Sequence, residues 1–414
     1  MNITTPAHAD AGQPTGEPVQ VGSRRLQELF AAIGERAFER ELADIAPHDA
    51  FALIRESGFG AFRLPRELGG AGASLLDFFD ALIALAAVDP NVAHALRSHF
   101  IFVDVRLGPF LRGEQRKWLE QVRAGALFGN ATTELGNRNT GGLEADRFQT
   151  KLVPDGDGYR LNGTKFYSTG SLYFDWVSVM AVTSDGEVAT ATIPVDRRGV
   201  ELEDDWDGMG QRLTASGTSR FANVFVAPDE VSIRPAGGHL AGHGGALAQL
   251  HLTAVVAGIL QAATDDAVKL LRSRARTFAH GSSATASDDP LLQHVVGKLA
   301  TNAFAARSVV LEAARTLDLA AESALVREGG DEDLLEQVKL DCAKAKVAVD
   351  ELAQRSGWLV FDVGGASATR RGLNLDRHWR NARTLASHNP DIYKTRAVGD
   401  HLVNGSPLPA SALF

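Results

Sequence analysis

The stretch DGYRLNGTKFYSTGS, residues 157–171, decides how the middle of the chain is read. Gly158, Gly163, Thr164 and Lys165 come near a phosphate-binding loop, but Thr and Lys are transposed and strand-like sequence follows instead of a helix. A hairpin fits better: Asp155-Gly156-Asp157-Gly158 supplies the turn and residues 159–164 the returning strand. Similar short alternating runs at 176–182, 189–195 and 221–226, separated by turn signals such as Asp185-Gly186, predict a β-domain of about 100 residues.

On both sides of it the apolar period is helical. Leu26, Leu29, Phe30 and Ile33, then Leu76, Phe79, Leu82 and Leu85, mark buried faces within residues 23–125. RLPRELGGAGAS, residues 63–74, interrupts them with one Pro and three Gly. After the connector GGHLAGHGG, residues 237–245, three long helical stretches are predicted at 246–280, 289–328 and 331–362. Such lengths point to a bundle that continues across subunits. The chain is therefore divided into a loosely ordered head (1–22), a helical domain (23–125), a β-domain (126–235) and a helical bundle (236–414).

Charge and composition narrow the partners. Lys plus Arg number 42 against 51 Asp plus Glu, and the net charge of -9 repels nucleic acid and anionic lipid. The head MNITTPAHADAGQPTGEPVQ has neither a basic nor an apolar region, and no run approaches the roughly 18 apolar residues of a membrane span, so a cytoplasmic protein is expected. A single cysteine, Cys342, allows no internal disulfide and lies in the series Leu335, Val338, Cys342, Ala345, Val349, Leu352, one face of a helix. His94 and His99 are five apart, not the i, i+4 pair of a zinc helix, and no metal site is expected. No G-x-S-x-G elbow, no dinucleotide fingerprint and no repeat is present.

RLPRELGGAGAS, NATTE (130–134), DGYRLNGTKFYSTGS, FANVFVAPDEV (221–231) and SRARTFAH (273–280) together resemble the acyl-CoA dehydrogenase superfamily over about residues 25 to 405. The resemblance implies an α+β, mostly α fold: an N-terminal helical domain, a central β-barrel and a C-terminal four-helix bundle, usually in homotetramers around a flavin. In those dehydrogenases a Glu base commonly lies in I-Y-E-G after an Arg-Asp pair. Here the corresponding stretch is RNARTLASHNPD, residues 380–391, and Asn389 takes that place without being able to act as a base. The other family position for the Glu falls near Ala248, and no Glu occurs between Glu230 and Glu312.

RNARTLASHNP (380–390) and WDGMGQRLTASGT (206–218) are instead similar to the flavin-dependent monooxygenases related to dibenzothiophene monooxygenase and sulfone monooxygenases. That branch implies FMN, taken as FMNH2 from a separate NAD(P)H-dependent reductase, with FAD less favoured. It also implies O2 addition to give a C4a-hydroperoxyflavin and oxygenation of a small hydrophobic substrate, first of all at sulfur, otherwise at nitrogen or aromatic carbon. The alternatives are a true acyl-CoA dehydrogenase with Asp265 or Asp266 as an unusual base, and a non-catalytic ligand-binding member of the fold.

The same resemblance nominates residues. His388 is the first candidate for holding the proton on the oxygenating species and His99 the second, a neutral imidazole being suited to that task; either could instead cap or pack a helix end. His94, His251 and His280 carry no comparable support. Thr169, with Ser168 and Ser171 as near alternatives, is expected at flavin N5, and Asn130, Thr132 and Thr133 at the pyrimidine edge. Arg274 or Arg276 is expected to grip the FMN phosphate, commonly from a neighbouring subunit, the other pairing with an acid. Ser216 and Asn389 are further cofactor contacts. Trp206 and Phe166 could wall the ring or simply pack.

Overall fold

The computed structural model describes residues 17–111, 116–135, 148–233, 243–326, 330–409, 411 and 414. Helices α1 (Arg24–Glu35), α2 (Ala37–Ala43), α3 (His48–Glu56), α4 (Leu75–Val88), α5 (Pro90–Ala95), α6 (Arg97–Leu111) and α7 (Arg116–Arg123) form the N-terminal part. The Gly-rich interruption ends at Ser74, whose hydroxyl accepts from the Asp77 amide while the Asp77 carboxylate accepts from the Ser74 amide, a reciprocal cap that starts α4. Asp89 then starts α5 by accepting from the amides of Asn91 and Val92, ahead of Pro90, whose missing N–H costs nothing in a first turn.

Strands β1 (Phe128–Ala131), β2 (Lys151–Asp155), β3 (Gly158–Lys165), β4 (Trp176–Thr183), β5 (Val188–Pro194), β6 (Val200–Leu202), β7 (Ser219–Val226) and β8 (Val231–Ile233) make one sheet. Its order is β6-β7-β3-β2-β4-β5-β8, with β1 added parallel to β4 so that Asn130 lies opposite Ser178. The β2–β3 hairpin closes at Asp155 and Gly158, as the turn residues predict. Alternate residues, among them Leu161, Val177, Val179, Ala191 and Val224, fill the core of this sheet. β2 escapes the alternation rule because only Leu152 of its five residues is buried.

The C-terminal part holds α8 (Gly244–Ser273), α9 (Pro290–Val326), α10 (Glu332–Asp362), α11 (Asp376–Ala386) and α12 (Asp391–Asn404). α8 is apolar and long enough to cross a membrane, yet 89% of its most apolar window is buried among α4, α9, α10 and α11. It ends at Ser273, earlier than residue 280, because the only large apolar side chain beyond Leu271 is Phe278, which stays exposed. Arg274 leaves the helix there with φ -77° and ψ 113° and donates from Nη1 to the Val363 carbonyl at 2.8 Å. Cys342 packs in the core on the expected face of α10, and burial pushes its thiol up to about 12, which leaves it inert.

One buried ion pair fixes α5. Arg40, 1% exposed, donates to Asp89 at 2.8 Å, to Asp49 at 3.0 Å and to the Ile33 carbonyl at 2.6 Å. Removing one member leaves a buried charge without its partner, so Arg40→Ala should lower unfolding free energy by about 3–5 kcal/mol. Urea denaturation checks this, and a loss under about 1 kcal/mol would show that the pair is not holding the helix start.

Candidate active site

α5 and α6 meet at Leu96. His94, at the end of α5, points toward the segment after β6, where its Nδ1 lies 3.0 Å from Gln211 Oε1. Gln211 is buried at φ 54°, its amide donates to Asn381 Oδ1 at 2.6 Å, and Asn381 Nδ2 donates to Glu41 at 3.1 Å. With Gln211 accepting from Nδ1–H, the neutral ring of His94 keeps its lone pair on Nε2. Burial, then the neighbouring Arg97, lowers the His94 pKa to about 3, so the ring is neutral at physiological pH.

His388 sits on the turn between α11 and α12. Its side chain is open to solvent and yet surrounded by protein, as on the floor of a cleft. Burial, then the charge of Arg97, and also the proximity of His94, Lys346 and Lys394, hold its pKa well below the usual histidine value. The two histidines are thus neutral neighbours. The cleft's third wall is the start of α8: the Ala248 carbonyl accepts from Arg97 Nε at 2.8 Å, and Gln249 Oε1 accepts from Asn389 Nδ2.

His99 does not join them. It is fully buried, with Nε2 against the Gly60 carbonyl at 2.8 Å and Nδ1 accepting from the Phe128 amide at 3.3 Å, so both ring nitrogens serve the fold. The sequence reading nominated His99 by resemblance and found no comparable support for His94, which the structure places nearer His388. Asn389, expected at the cofactor, is buried and clamps the His388 turn to α8. Asp266 pairs with Arg377 and with His378 at 2.9 Å, about 27 Å along α8 from Ala248, and Asp265 is exposed beside it. Neither can serve as a base in this cleft.

A chain of hydroxyls connects Gln211, the partner of His94, to the sheet. Thr214 Oγ1 donates to the Gln211 carbonyl at 2.7 Å and lies 2.7 Å from Ser216 Oγ, which lies 2.8 Å from Thr169 Oγ1. Thr214 and Ser216 are buried, while Thr169 is half-exposed at the open end. Gly170 (φ 82°) lets this turn lie against α5, since a Cβ there would be 2.8 Å from the Ala95 carbonyl. Tyr167, Gln211 and Ala215 all adopt left-handed backbone, a conformation costing about 1 kcal/mol or more that concentrates at functional sites. Ser168 and Ser171 are buried with no partner for their hydroxyls, and so is Nε2 of Gln211. Asn130, Thr132 and Thr133 are half-buried along the edge of β1, and the Thr133 carbonyl accepts from the Phe166 amide at 2.9 Å. Trp206 donates from Nε1 to the Gln211 carbonyl at 2.9 Å and meets Tyr167 edge-on.

Beneath the turn, Lys165 is buried and donates to Glu134 at 2.7 Å. Burial raises the Glu134 carboxyl, but donors from Lys165, Thr150 and Gln149 outweigh it and hold the group below its ordinary value. Arg274 and Arg276 lie elsewhere, in a groove of about 620 Å³ lined also by Phe278, Ser367 and Arg370. Arg274 is tied to the Val363 carbonyl, whereas Arg276 is exposed. Twenty-six residues of chain, most of them α8, separate Ala248 from Arg274, roughly 39 Å at helical rise.

Comparison with known proteins agrees with this arrangement. Residues 131–224 match the acyl-CoA dehydrogenase middle domain and residues 250–390 its C-terminal domain. A protein described as a probable FMNH2-dependent monooxygenase, SfnC of Pseudomonas putida, is 31% identical over 96% of this chain and 98% of its own. A dibenzothiophene monooxygenase of Rhodococcus erythropolis is 32% identical over 95% of each. Among solved structures, FMN-bound TdsC of Paenibacillus superposes with TM-score 0.83 at 29% identity, covering 95% of this chain and 100% of that one. The methanesulfinate monooxygenase MsuC of Pseudomonas fluorescens gives 0.83 at 29%, covering 94% and 99%. The fold is that of acyl-CoA dehydrogenases, and the chain belongs to the flavin-dependent monooxygenase branch of that superfamily. It is an oxidoreductase that uses FMN.

Burial of neutral histidines has a measurable consequence. Burial lowers the pKa of His94 and His251 to about 3 and of His99 and His378 to about 4. Folding depresses these values, so their contribution is complete above the unfolded value near 6.5 and is lost as pH falls toward 4. Each should cost about 1.4 kcal/mol per pH unit across that window. Urea midpoints should fall steadily from pH 6.5 to 4.5, and His251→Gln should flatten the slope. A midpoint constant over that range would contradict the neutral burial of these rings.

Proposed function

We propose that the chain is the oxygenase component of a two-component system, taking FMNH2 from a separate NAD(P)H-dependent reductase and placing one oxygen atom of O2 on a small substrate, at sulfur. The observation that carries this reading is the pair of neutral histidines, His94 and His388, facing one cleft from which a carboxylate base is missing among the described residues. Reduced flavin, when bound, supplies the electrons that divide O2 between substrate and water. The partnerless hydroxyls of Ser168 and Ser171 and the open end of the Thr169 relay suit a polar ring edge seated on this turn.

In this reading His388 holds and returns a proton inside the cleft, and His94 Nε2 accepts one, its tautomer set by Gln211. Thr169 faces flavin N5, and Asn130, Thr132 and Thr133 line the pyrimidine edge. Closing the cleft against water preserves the coupling of electrons to product. The roughly 39 Å between Ala248 and Arg274 exceeds the length of one FMN, so the phosphate contact comes from a second copy, Arg276 having its side chain free to the surface. Exposed apolar residues on the bundle, Trp358 (77%), Phe304 (73%) and Val403 (81%), support an oligomer, a homotetramer in this fold. The expected compartment is the cytoplasm.

His388→Ala and His94→Ala should each lower product formation by about 10²- to 10⁴-fold while FMNH2 is still consumed and peroxide is released. Simultaneous assay of product and peroxide checks this, and unchanged coupling in a variant removes that residue from proton handling. Arg276→Ala should weaken FMN binding at least about tenfold, the loss of a charge-assisted phosphate contact. Co-expressed with His388→Ala, it should recover part of the activity, because mixed oligomers contain some sites with both residues intact. No recovery, with normal FMN affinity, would end the assignment of Arg276.

A further inference from the structure

Arg97 is the one strong charge in the cleft that the reading above leaves unused. It opens α6, and of its donors only Nε is engaged, on the Ala248 carbonyl at 2.8 Å. No carboxylate among the described residues pairs with it, and burial is the sole influence on its pKa, which falls to about 10. Its side chain is nonetheless half-accessible, and its charge is the strongest acting on His388 and also acts on His94. Arg97 stands three residues from His94 and bonds the Ala248 carbonyl, next to the Gln249 that holds Asn389, so its guanidinium lies at the same end of α8 as the His388 turn.

A tie between α6 and α8 does not require a charge. A fork of five N–H donors with one in use, on a side chain that is only half-buried, is suited to take an anion that reaches the site from solvent. The surroundings add to this. The largest electrostatic influences on His388 come from Arg97, His94, Lys346 and Lys394. Asp350, the acid near Lys346, is already bound by it at 2.6 Å. An oxyanion would engage the free donors of Arg97 in charge-assisted hydrogen bonds, which a neutral ring stacked on the guanidinium could not.

We propose that Arg97 binds an oxyanionic group on the substrate, and that the substrate class is an organosulfur oxyanion whose oxidisable member is a sulfinate. This rests on the monooxygenase reading, and the activity of MsuC on methanesulfinate is what favours sulfur over a carboxylate of similar shape. The balance is R–SO2⁻ + O2 + FMNH2 → R–SO3⁻ + FMN + H2O. Sulfur gives two electrons and FMNH2 two, a new S–O bond forms, and the second oxygen leaves as water with the two hydrogens of FMNH2. The anion stays on Arg97 throughout, because substrate and product carry the same charge.

The test uses the full-length protein with FMN, a flavin reductase, NADH and O2, and three probes of similar size: benzenesulfinate, neutral methyl phenyl sulfide, and benzoate as an inhibitor. Benzenesulfinate should give benzenesulfonate with kcat/KM roughly 100-fold above that for the sulfide, as expected for one desolvated charge pair. Arg97→Gln should collapse that ratio by a similar factor, mainly through KM, and Arg97→Lys should restore part of it. Benzoate should compete in the wild type and not in Arg97→Gln. Oxygenation of the sulfide with no preference for the sulfinate would overturn the proposal and leave the monooxygenase reading standing. FMNH2 oxidation at the rate of free flavin, with no product from either probe or from dibenzothiophene, would overturn both. If Arg97→Gln does not fold, the wild-type ratio of the two probes decides.

Discussion

The burial of α8 on nearly every side is the constraint on which the site depends. About four of its turns, Ala246 to Leu260, are buried against α4, α9 and α10, and their polar groups are satisfied by partners in the surrounding elements. The Ala248 carbonyl takes Arg97, Gln249 takes Asn389, and His251 lies 2.9 Å from the Ala93 carbonyl. One rigid helix therefore sets both the α5–α6 break that carries His94 and the α11–α12 turn that carries His388. A packed helix positions such groups more accurately than free loops could.

The chemistry follows from how charge is distributed around that frame. Acids in the neighbourhood are spent on structure: Asp89 on Arg40, Glu41 on Asn91 and Asn381, Asp350 on Lys346. The histidines are left neutral by burial, able to hold a proton without a standing charge. A dehydrogenase needs a carboxylate at this point, and among the described residues none is free to serve there. The same helices that would carry the base in a dehydrogenase here carry imidazole and guanidinium groups, which changes the reaction without changing the architecture.

The sheet contributes from below. The buried Lys165–Glu134 pair anchors the end of β3 immediately before the Tyr167–Ser171 turn, and Gly170 brings that turn against α5. Hydroxyls of Thr169, Ser216 and Thr214 then run from the open face to Gln211 and His94. The half of the site on the sheet and the half on the helices are thus one hydrogen-bonded unit.

Local signals in the sequence were enough for the order of helices and strands, the hairpin at Asp155–Gly158, the core face around Cys342 and the absence of a Glu near Ala248, because each depends on residues close in the chain. Motif resemblance at 206–218 and 380–390 likewise pointed to the monooxygenase branch and to His388. Only the tertiary structure shows that His99 is held by the Gly60 carbonyl and the Phe128 amide while His94 meets Gln211, because these partners lie 29 to 117 residues away in the chain. The tertiary structure alone separated Arg274 and Arg276 from the cleft by the length of a helix, and it alone brought Arg97 to the same end of α8 as the His388 turn. Contacts across such separations are set by the packing of whole elements, which no local pattern encodes.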